Sequence, residues 1–383
     1  MSHTDVTSQD EQDAVQRKKK DQGQHECEVL GRGCEIAEIE YAWNNCTKNH
    51  GHSTFIPAPE FCLDHLPEGC RYQWMLDFMK IIIALTVRLR VYYTSWERPL
   101  GYTFSQYRGS SILHTGSGWV YKVKSGKGPC PCPECAQSST PSQRWYVICV
   151  RTACHVVYNS EEAQHTQIDF FYDNERSRME GRMKTHPGRD VLKKDEDLDI
   201  CCFDIVTHDE MLATQLKLVV EQVDNFKFDD CEMFNSKDQY VCIAVSHPHG
   251  QPKHVTVGER KLWPGLKYRW FSRKCIYTTD TCPGSSGAPV ITFESLKIGL
   301  VALFSSMKCR LKFWAPHSEY LEDFKVNKSG NGSPFCGPQL RNSEIWDKKF
   351  WEDTIEYFNL HDSKDLDLYL EIAKHILAGI YGI

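Results

Sequence analysis

The feature that most constrains this chain is a series of short β-branched and aromatic segments, broken by turn residues, between Gly116 and about Ser333. Residues 118–123, 144–150, 167–172, 239–245 and 297–304 are the clearest of them. Such a rhythm suits an all-β barrel or sandwich, with one helical interruption at about 209–226. Before it, Trp74, Met75, Phe78, Ile81, Ile82 and Leu85 recur at helical spacing from Tyr72 to about Thr86. Val87, Leu89, Val91 and Tyr93 then alternate with Arg88, Arg90 and Tyr92, which predicts a strand. Beyond about Ser343 two amphipathic helices are expected. Trp346, Phe350, Trp351, Ile355 and Phe358 mark the first, and a second near Ser363 carries Leu366, Leu370, Ala373, Ile376, Leu377 and Ile380.

At 383 residues the chain has room for one domain of about 250 residues plus smaller attachments. A net charge of −6, with no extended basic stripe, argues against nucleic acid as the main partner. The N-terminal residues 1–26 are polar and charged, predicting a disordered tail without the apolar core of a secretory signal. Arg17-Lys18-Lys19-Lys20 reads either as a nuclear address or as a solvated charge run. The most apolar stretch, 79–87, is interrupted by Lys80 and closed by Arg88 and Arg90, so no membrane span is expected. A cytoplasmic or nuclear protein, not a secreted one, is the expectation.

In that setting eighteen cysteines point to reduced thiols and metal ligation before disulfides. Cys130, Cys132 and Cys135 can converge on a structural zinc, but such a site wants four ligands and no fourth is evident locally. Reduced loop cysteines or a redox pair are the alternative. Residues 27–70 hold a second ligand-rich set: Cys27, Cys34, Cys46, His50, His52, Cys62, His65 and Cys70. Its spacing fits no zinc module, and an irregular cap with buried thiols is the competing reading.

The segment richest in chemistry is Cys282-Pro283-Gly284-Ser285-Ser286-Gly287-Ala288-Pro289-Val290. A serine becomes a nucleophile when a base takes its proton and backbone amides hold the oxyanion. A Gly-x-Ser-Gly turn serves both needs, because glycine permits the backbone angles that aim the N–H groups of Gly284 and Ser286 into one cavity. The stretch resembles the Gly-Asp-Ser-Gly-Gly-Pro-Val signature of trypsin-like serine proteases, with Ser286 in the nucleophile place. It is closer to the intracellular and viral members, including the high-temperature-requirement proteases.

Residues 147–157, ending Thr152-Ala153-Cys154-His155-Val156-Val157, resemble the strand and turn that deliver the catalytic histidine of that family. Cys154 departs from its usual small residue. Asp199-Ile200-Cys201-Cys202-Phe203-Asp204-Ile205 resembles the segment of its orienting carboxylate, with Asp197 and Asp204 as competitors. His155, Asp199 and Ser286 stand in the His, Asp, Ser order, 44 and 87 residues apart. The chymotrypsin pattern has about 45 and about 93. Ala244-Val245-Ser246-His247-Pro248-His249-Gly250 with Val255-Thr256-Val257-Gly258 resembles the strand pair before the nucleophile; His247 and His249 read as structural or rim residues.

The resemblance implies a serine endopeptidase with protein or peptide substrates and no required cofactor, working through a triad of His155, Asp199 and Ser286. The oxyanion hole would be formed by Gly284 and Ser286. The rival reading is a catalytically silent domain, a pseudoprotease, that binds peptides. Ser285 stands where secreted trypsins carry Asp, so activation by a new N-terminus is not expected. For specificity, Asp280 implies cleavage after Arg or Lys, while His317 implies Glu or Gln. The expected fold is an all-β core, a two-barrel trypsin-like fold with helical N- and C-terminal additions. Its divisions are a tail (1–26), a Cys/His-rich segment and helix (27–84), the protease domain (85–337) and a helical extension (338–383).

Overall fold

The computed structural model describes residues 24–31, 34–226, 240–261, 275–294, 310–314, 317–321 and 326–329. The strand expected at 297–304 and the helical extension at 338–383 lie outside these residues.

Two sheets, antiparallel at every pairing, organise the described chain. The first takes β2 (Glu28–Val29), β4 (Thr86–Val91), β5 (His114–Ser125), β6 (Tyr146–Thr152), β7 (Thr166–Phe170), β8 (Lys184–Pro187), β9 (Val191–Asp195) and β10 (Ile200–Thr207). Its order is β8-β7-β4-β5-β6-β10-β9, with β2 added on β5. The second takes β1 (Gln24–His25), β3 (Ile56–Pro57), β11 (Tyr240–Ser246), β12 (His254–Lys261) and β13 (Cys275–Tyr277). It is completed by β14 (Val290–Glu294), β15 (Arg310–Trp314), β16 (His317–Leu321) and β17 (Val326–Ser329). Its order is β1-β16-β17-β13-β12-β11-β14-β15, with β3 added on β12.

The strands at the centre of each sheet are near-continuous apolar runs, because both of their faces are covered. In β10 Cys201, Cys202, Phe203 and Ile205 are buried; in β11 Val241, Cys242, Ile243, Ala244 and Val245 are. Two large hydrophobic cores result among the described residues, beside three small clusters. Leu89, Val120, Ile148, Val150, Ile168, Phe170 and Phe203 fill the first, and Val241, Ile243, Val255, Ile291 and Phe293 the sheet side of the second. Each such side chain contributes about 2 kcal/mol through burial.

Helix α1 (Glu35–Asn44) lies in the N-terminal Cys/His-rich segment. Helix α2 (Gln73–Leu85) covers the second core with Met75, Leu76, Phe78, Met79 and Ile82, as the apolar spacing predicts. It runs directly into β4, and the Thr86 hydroxyl donates to the Ile82 carbonyl at 2.9 Å where the helix stops. The helix expected at 209–226 is α3 (Glu210–Asp224), capped by the Asp209 carboxylate, which accepts from the Leu212 amide at 2.9 Å. Leu212 and Leu216 of α3 enter the first core, while Phe226 just beyond it meets Phe78 of α2 at 4.9 Å between ring centres. The helix thus joins the two cores. Among the described residues no helix is long and apolar enough to cross a membrane.

Candidate active site

The ends of strands from both sheets meet at one buried point. Strand β6 ends at Thr152, and the turn after it delivers His155, which is fully buried. Asp199 precedes β10 and holds left-handed backbone, φ 52°. Its carboxylate accepts the His155 amide at 3.1 Å through Oδ1 and faces His155 Nδ1 at 2.7 Å through Oδ2. With Nδ1–H donating to that carboxylate, His155 Nε2 is left as the acceptor, 2.7 Å from Ser286 Oγ. The competing carboxylate, Asp204, is instead paired with Arg189, whose Nε donates to it at 3.1 Å. Cys154 points away, its Sγ lying 3.1 Å from the Ile200 carbonyl, and burial pushes its thiol up.

The loop ahead of β14 takes its shape from two glycines. Gly284 has φ 95° and Gly287 φ 85°. A Cβ at Gly284 would lie 2.5 Å from the His247 carbonyl oxygen, and one at Gly287 2.0 Å from that of Ser117. No side chain fits either place. Ser285 braces the turn from inside, its Oγ accepting the Cys282 amide at 3.2 Å and donating to Ser246 Oγ at 3.1 Å. This loop therefore has an internal support.

Ser117, absent from the sequence reading, ties the loop to both sheets. Its amide donates to the Ser286 carbonyl at 2.7 Å, and its Oγ donates to the Gly284 carbonyl at 2.8 Å and accepts the His247 amide at 2.9 Å. The run of small residues Gly116-Ser117-Gly118 was the available signal. Behind His155, Arg98 and Glu162 form a fully buried pair with two contacts of 2.6 Å. Burial opposes ionisation of Glu162, but the guanidinium outweighs it and holds the carboxyl below its usual range.

The amides of Gly284 and Ser286 converge on one acceptor, the main-chain carbonyl oxygen of Glu26, at 2.8 and 3.1 Å. The Glu26 amide donates to Ser286 Oγ at 3.0 Å, and the His25 ring lies 4.0 Å from that of His155. The end of the tail expected at residues 1–26 is thus ordered: Gln24–His25 form β1 on β16, and Glu26 is buried. Its carboxylate accepts the Thr281 hydroxyl at 2.6 Å and pairs with Lys48. Composition hid this role, because a polar segment orders only where another part of the chain supplies its partners.

The two specificity candidates part company. Asp280 accepts the Thr54 hydroxyl at 2.7 Å. His317 opens β16, the strand that pairs with Gln24–His25. The three loop thiols gain a neighbour the sequence did not suggest. His208 Nε2 lies 2.9 Å from Cys130 Sγ, 3.6 Å from Cys135 Sγ and 3.9 Å from Cys132 Sγ. A lone histidine past the end of β10, far along the chain, carries no spacing signal toward those cysteines.

No family model matches the chain, and no curated protein does. Among solved structures, the active form of the Rv3671c protease from M. tuberculosis is similar at 13% identity and a TM-score of 0.31, covering 66% of this chain and 78% of that one. Its inactive form has 13% identity and a TM-score of 0.29, covering 65% and 84%.

Proposed function

We propose that the chain is a serine endopeptidase of the two-barrel trypsin-like kind, each sheet supplying one barrel and the cleft lying between them. The observation that carries this reading is the hydrogen-bonded series Asp199, His155, Ser286, together with the two amides aimed at one carbonyl oxygen beside Ser286. His155 Nε2 takes the Ser286 proton as Oγ attacks a peptide carbonyl. The Gly284 and Ser286 amides stabilise the oxyanion, and Asp199 stabilises the imidazolium. His155 then protonates the leaving amine, and water releases the acyl group by the same route reversed. No cofactor takes part in these steps.

A second reading, a silent peptide-binding module, is favoured by the segment through Glu26 already lying in the cleft. Labelling with a fluorophosphonate separates the two. The reading predicts labelling in wild type or in Glu26→Lys, which sets a cation against Lys48 and opens the cleft. It also predicts loss of label on adding Ser286→Ala or His155→Ala. A folded Glu26→Lys protein that stays unlabelled would favour the silent module.

Cys130, Cys132, Cys135 and His208 fit a structural zinc with three sulfurs and one nitrogen. Amides support the thiolates: Cys132 N donates to Cys130 Sγ, Cys135 N to Cys132 Sγ and Ser142 N to Cys135 Sγ, each at 3.4 Å. We assign this group a role in closing the loop between β5 and β6, outside the chemistry. Fourteen cysteines, Cys149, Cys154, Cys201, Cys202 and Cys242 of the strands among them, are free of disulfides, which supports a reducing compartment, cytoplasm or nucleus.

A further inference from the structure

A second cluster lies directly under the nucleophile loop. Cys46, His52, His249 and Cys282 are all buried, and their ligand atoms lie within 4.8 Å of one another. Cys46 Sγ is 3.7 Å from Cys282 Sγ, which is 3.5 Å from His52 Nε2. A tetrahedral zinc with bonds of about 2.3 Å to sulfur and about 2.05 Å to nitrogen separates two sulfurs by about 3.8 Å, and sulfur from nitrogen by about 3.6 Å. These two separations match those of ligands around an ion.

The surroundings point the same way. His249 Nδ1 meets the Glu28 carboxylate at 2.6 Å, which fixes the ring with Nε2 as the lone-pair nitrogen. That Nε2 is buried and has no hydrogen-bond partner among the described residues. Asn49 serves both sulfurs, its amide donating to Cys46 Sγ at 3.4 Å and its side chain to Cys282 Sγ at 3.1 Å. Both histidines hold strained left-handed backbone, φ 48° at His52 and 53° at His249. Trp43 stacks on His52 at 3.6 Å between ring centres and closes the site.

We propose that Cys46, His52, His249 and Cys282 bind one structural zinc ion. Two thiolates balance its charge, so the buried site is neutral. The ion fixes Cys282, two residues before Gly284, to the N-terminal segment and to the turn after β11. It thereby sets the amides that face the Glu26 carbonyl. Its chemistry is structural, since four protein ligands leave no open position.

The test is the metal content of the purified full chain, with Cys132→Ser removing the loop site in every sample. One zinc per chain is expected in that background, and none after adding Cys46→Ser. Should Cys46→Ser fail to fold, cobalt exchanged into the Cys132→Ser chain reads the site directly, through ligand-field and thiolate charge-transfer bands of a tetrahedral two-sulfur, two-nitrogen centre. A folded Cys132→Ser chain that contains no metal and takes up no cobalt overturns the proposal.

An independent observation concerns the Glu26–Cys27 peptide bond, and the inference rests on the endopeptidase reading. The chain enters the cleft as an added strand on β16, with Gln24 opposite Tyr320 and His25 opposite Glu319. It leaves as an added strand on β5, with Glu28 opposite Thr115 and Val29 opposite His114. Between them the Glu26 carbonyl oxygen takes both loop amides, while the Glu26 amide reaches Ser286 Oγ. Main-chain pairing on both sides with a carbonyl in the amide cradle is how an extended peptide substrate is held. Lys48 and Thr281 close on the Glu26 carboxylate as its subsite.

We infer that the cleft accepts a glutamyl residue and that Glu26–Cys27 is an intramolecular substrate. Ser286 Oγ bonds to the Glu26 carbonyl carbon, and its proton passes to His155. The bond to the Cys27 nitrogen breaks as His155 returns the proton to that nitrogen. Water then hydrolyses the ester, leaving a Glu26 carboxylate and a new N-terminus at Cys27.

Intact-mass analysis of the full chain during incubation tests this. A product beginning at Cys27 is expected in wild type, absent in Ser286→Ala, and slowed at least tenfold in Glu26→Gln and Lys48→Ala. Fluorophosphonate labelling of Glu26→Lys runs alongside. Labelling with an uncleaved wild-type chain overturns self-cleavage and leaves the endopeptidase reading standing. Absence of both label and cleavage overturns both.

Discussion

Arg98 Nη1 donates to the carbonyl oxygen of His155 at 3.1 Å, so a fully buried guanidinium holds the main chain of the proposed base. Its other nitrogens grip Glu162, and the Glu162 carboxylate also accepts the amides of Ser95 and Tyr158 at 2.9 Å each. Removing one partner strands a buried charge. Glu162→Gln and Arg98→Leu are each expected to destabilise the fold by about 3–5 kcal/mol, read as a lowered denaturation midpoint. Equal stability in either variant would disprove the supporting role.

Asp199→Asn keeps a side chain that tolerates left-handed backbone and an oxygen that can accept the His155 amide. It cannot stabilise an imidazolium. Turnover should fall by about 10⁴-fold with little change in melting temperature. Steady-state kinetics on a cleavable peptide, beside thermal unfolding, checks both halves.

Gly287 and Gly128 separate backbone strain from collision. Both have positive φ, 85° and 75°. A Cβ at Gly128 meets nothing within 4 Å, whereas one at Gly287 meets Ser117 O at 2.0 Å and Thr152 Oγ1 at 2.2 Å. Gly128→Ala should cost about 1–2 kcal/mol of stability. Gly287→Ala should cost about 3 kcal/mol or more and abolish turnover. Denaturant titration of the two variants makes the comparison.

Burial lowers His114 from 6.5 to about 4, the Arg98 charge adding to the effect. The folded state therefore resists a proton that the unfolded state accepts. Stability is full above pH 6.5 and is lost as the pH falls toward 4, by about 3 kcal/mol for this residue. His254, lowered to about 4 by burial, adds a loss of the same sign. His114→Gln, able to donate to the Val156 carbonyl that His114 Nε2 meets at 2.9 Å, should flatten the slope between pH 6.5 and 4.5. Unfolding curves across that range would show a parallel slope if His114 titrates freely.

His208→Ala should release one equivalent of metal and expose the loop between Gly126 and Trp145 to proteolysis, leaving the rest of the fold intact. Metal analysis and limited digestion read this out. Unchanged metal content would remove His208 from the site.

The sequence by itself determined the local pieces. Apolar periodicity placed α2 to within a residue or two, since which face is buried is written in the spacing of Met75, Phe78, Ile82 and Leu85. Helix α3 matches the helical interruption expected at 209–226. The small turn around Ser286 was legible because only glycine can hold the backbone of residues 284 and 287. His155 and Asp199, whose side chains meet at 2.7 Å, could be singled out because each sits beside an apolar strand.

What only the tertiary structure decided are the partners. Three thiols in one loop found His208 past another strand. Cys282 of the turn before Ser286 found Cys46, separated from it by 236 residues. Glu26, assigned from composition to a disordered tail, is buried beside Ser286 because Lys48 and Thr281 lie there to receive its charge. Ligand sets and subsites are assembled from side chains that share no periodicity. Their chemistry is fixed by residue type, but their meeting depends on how two sheets close upon each other, and no local pattern records that.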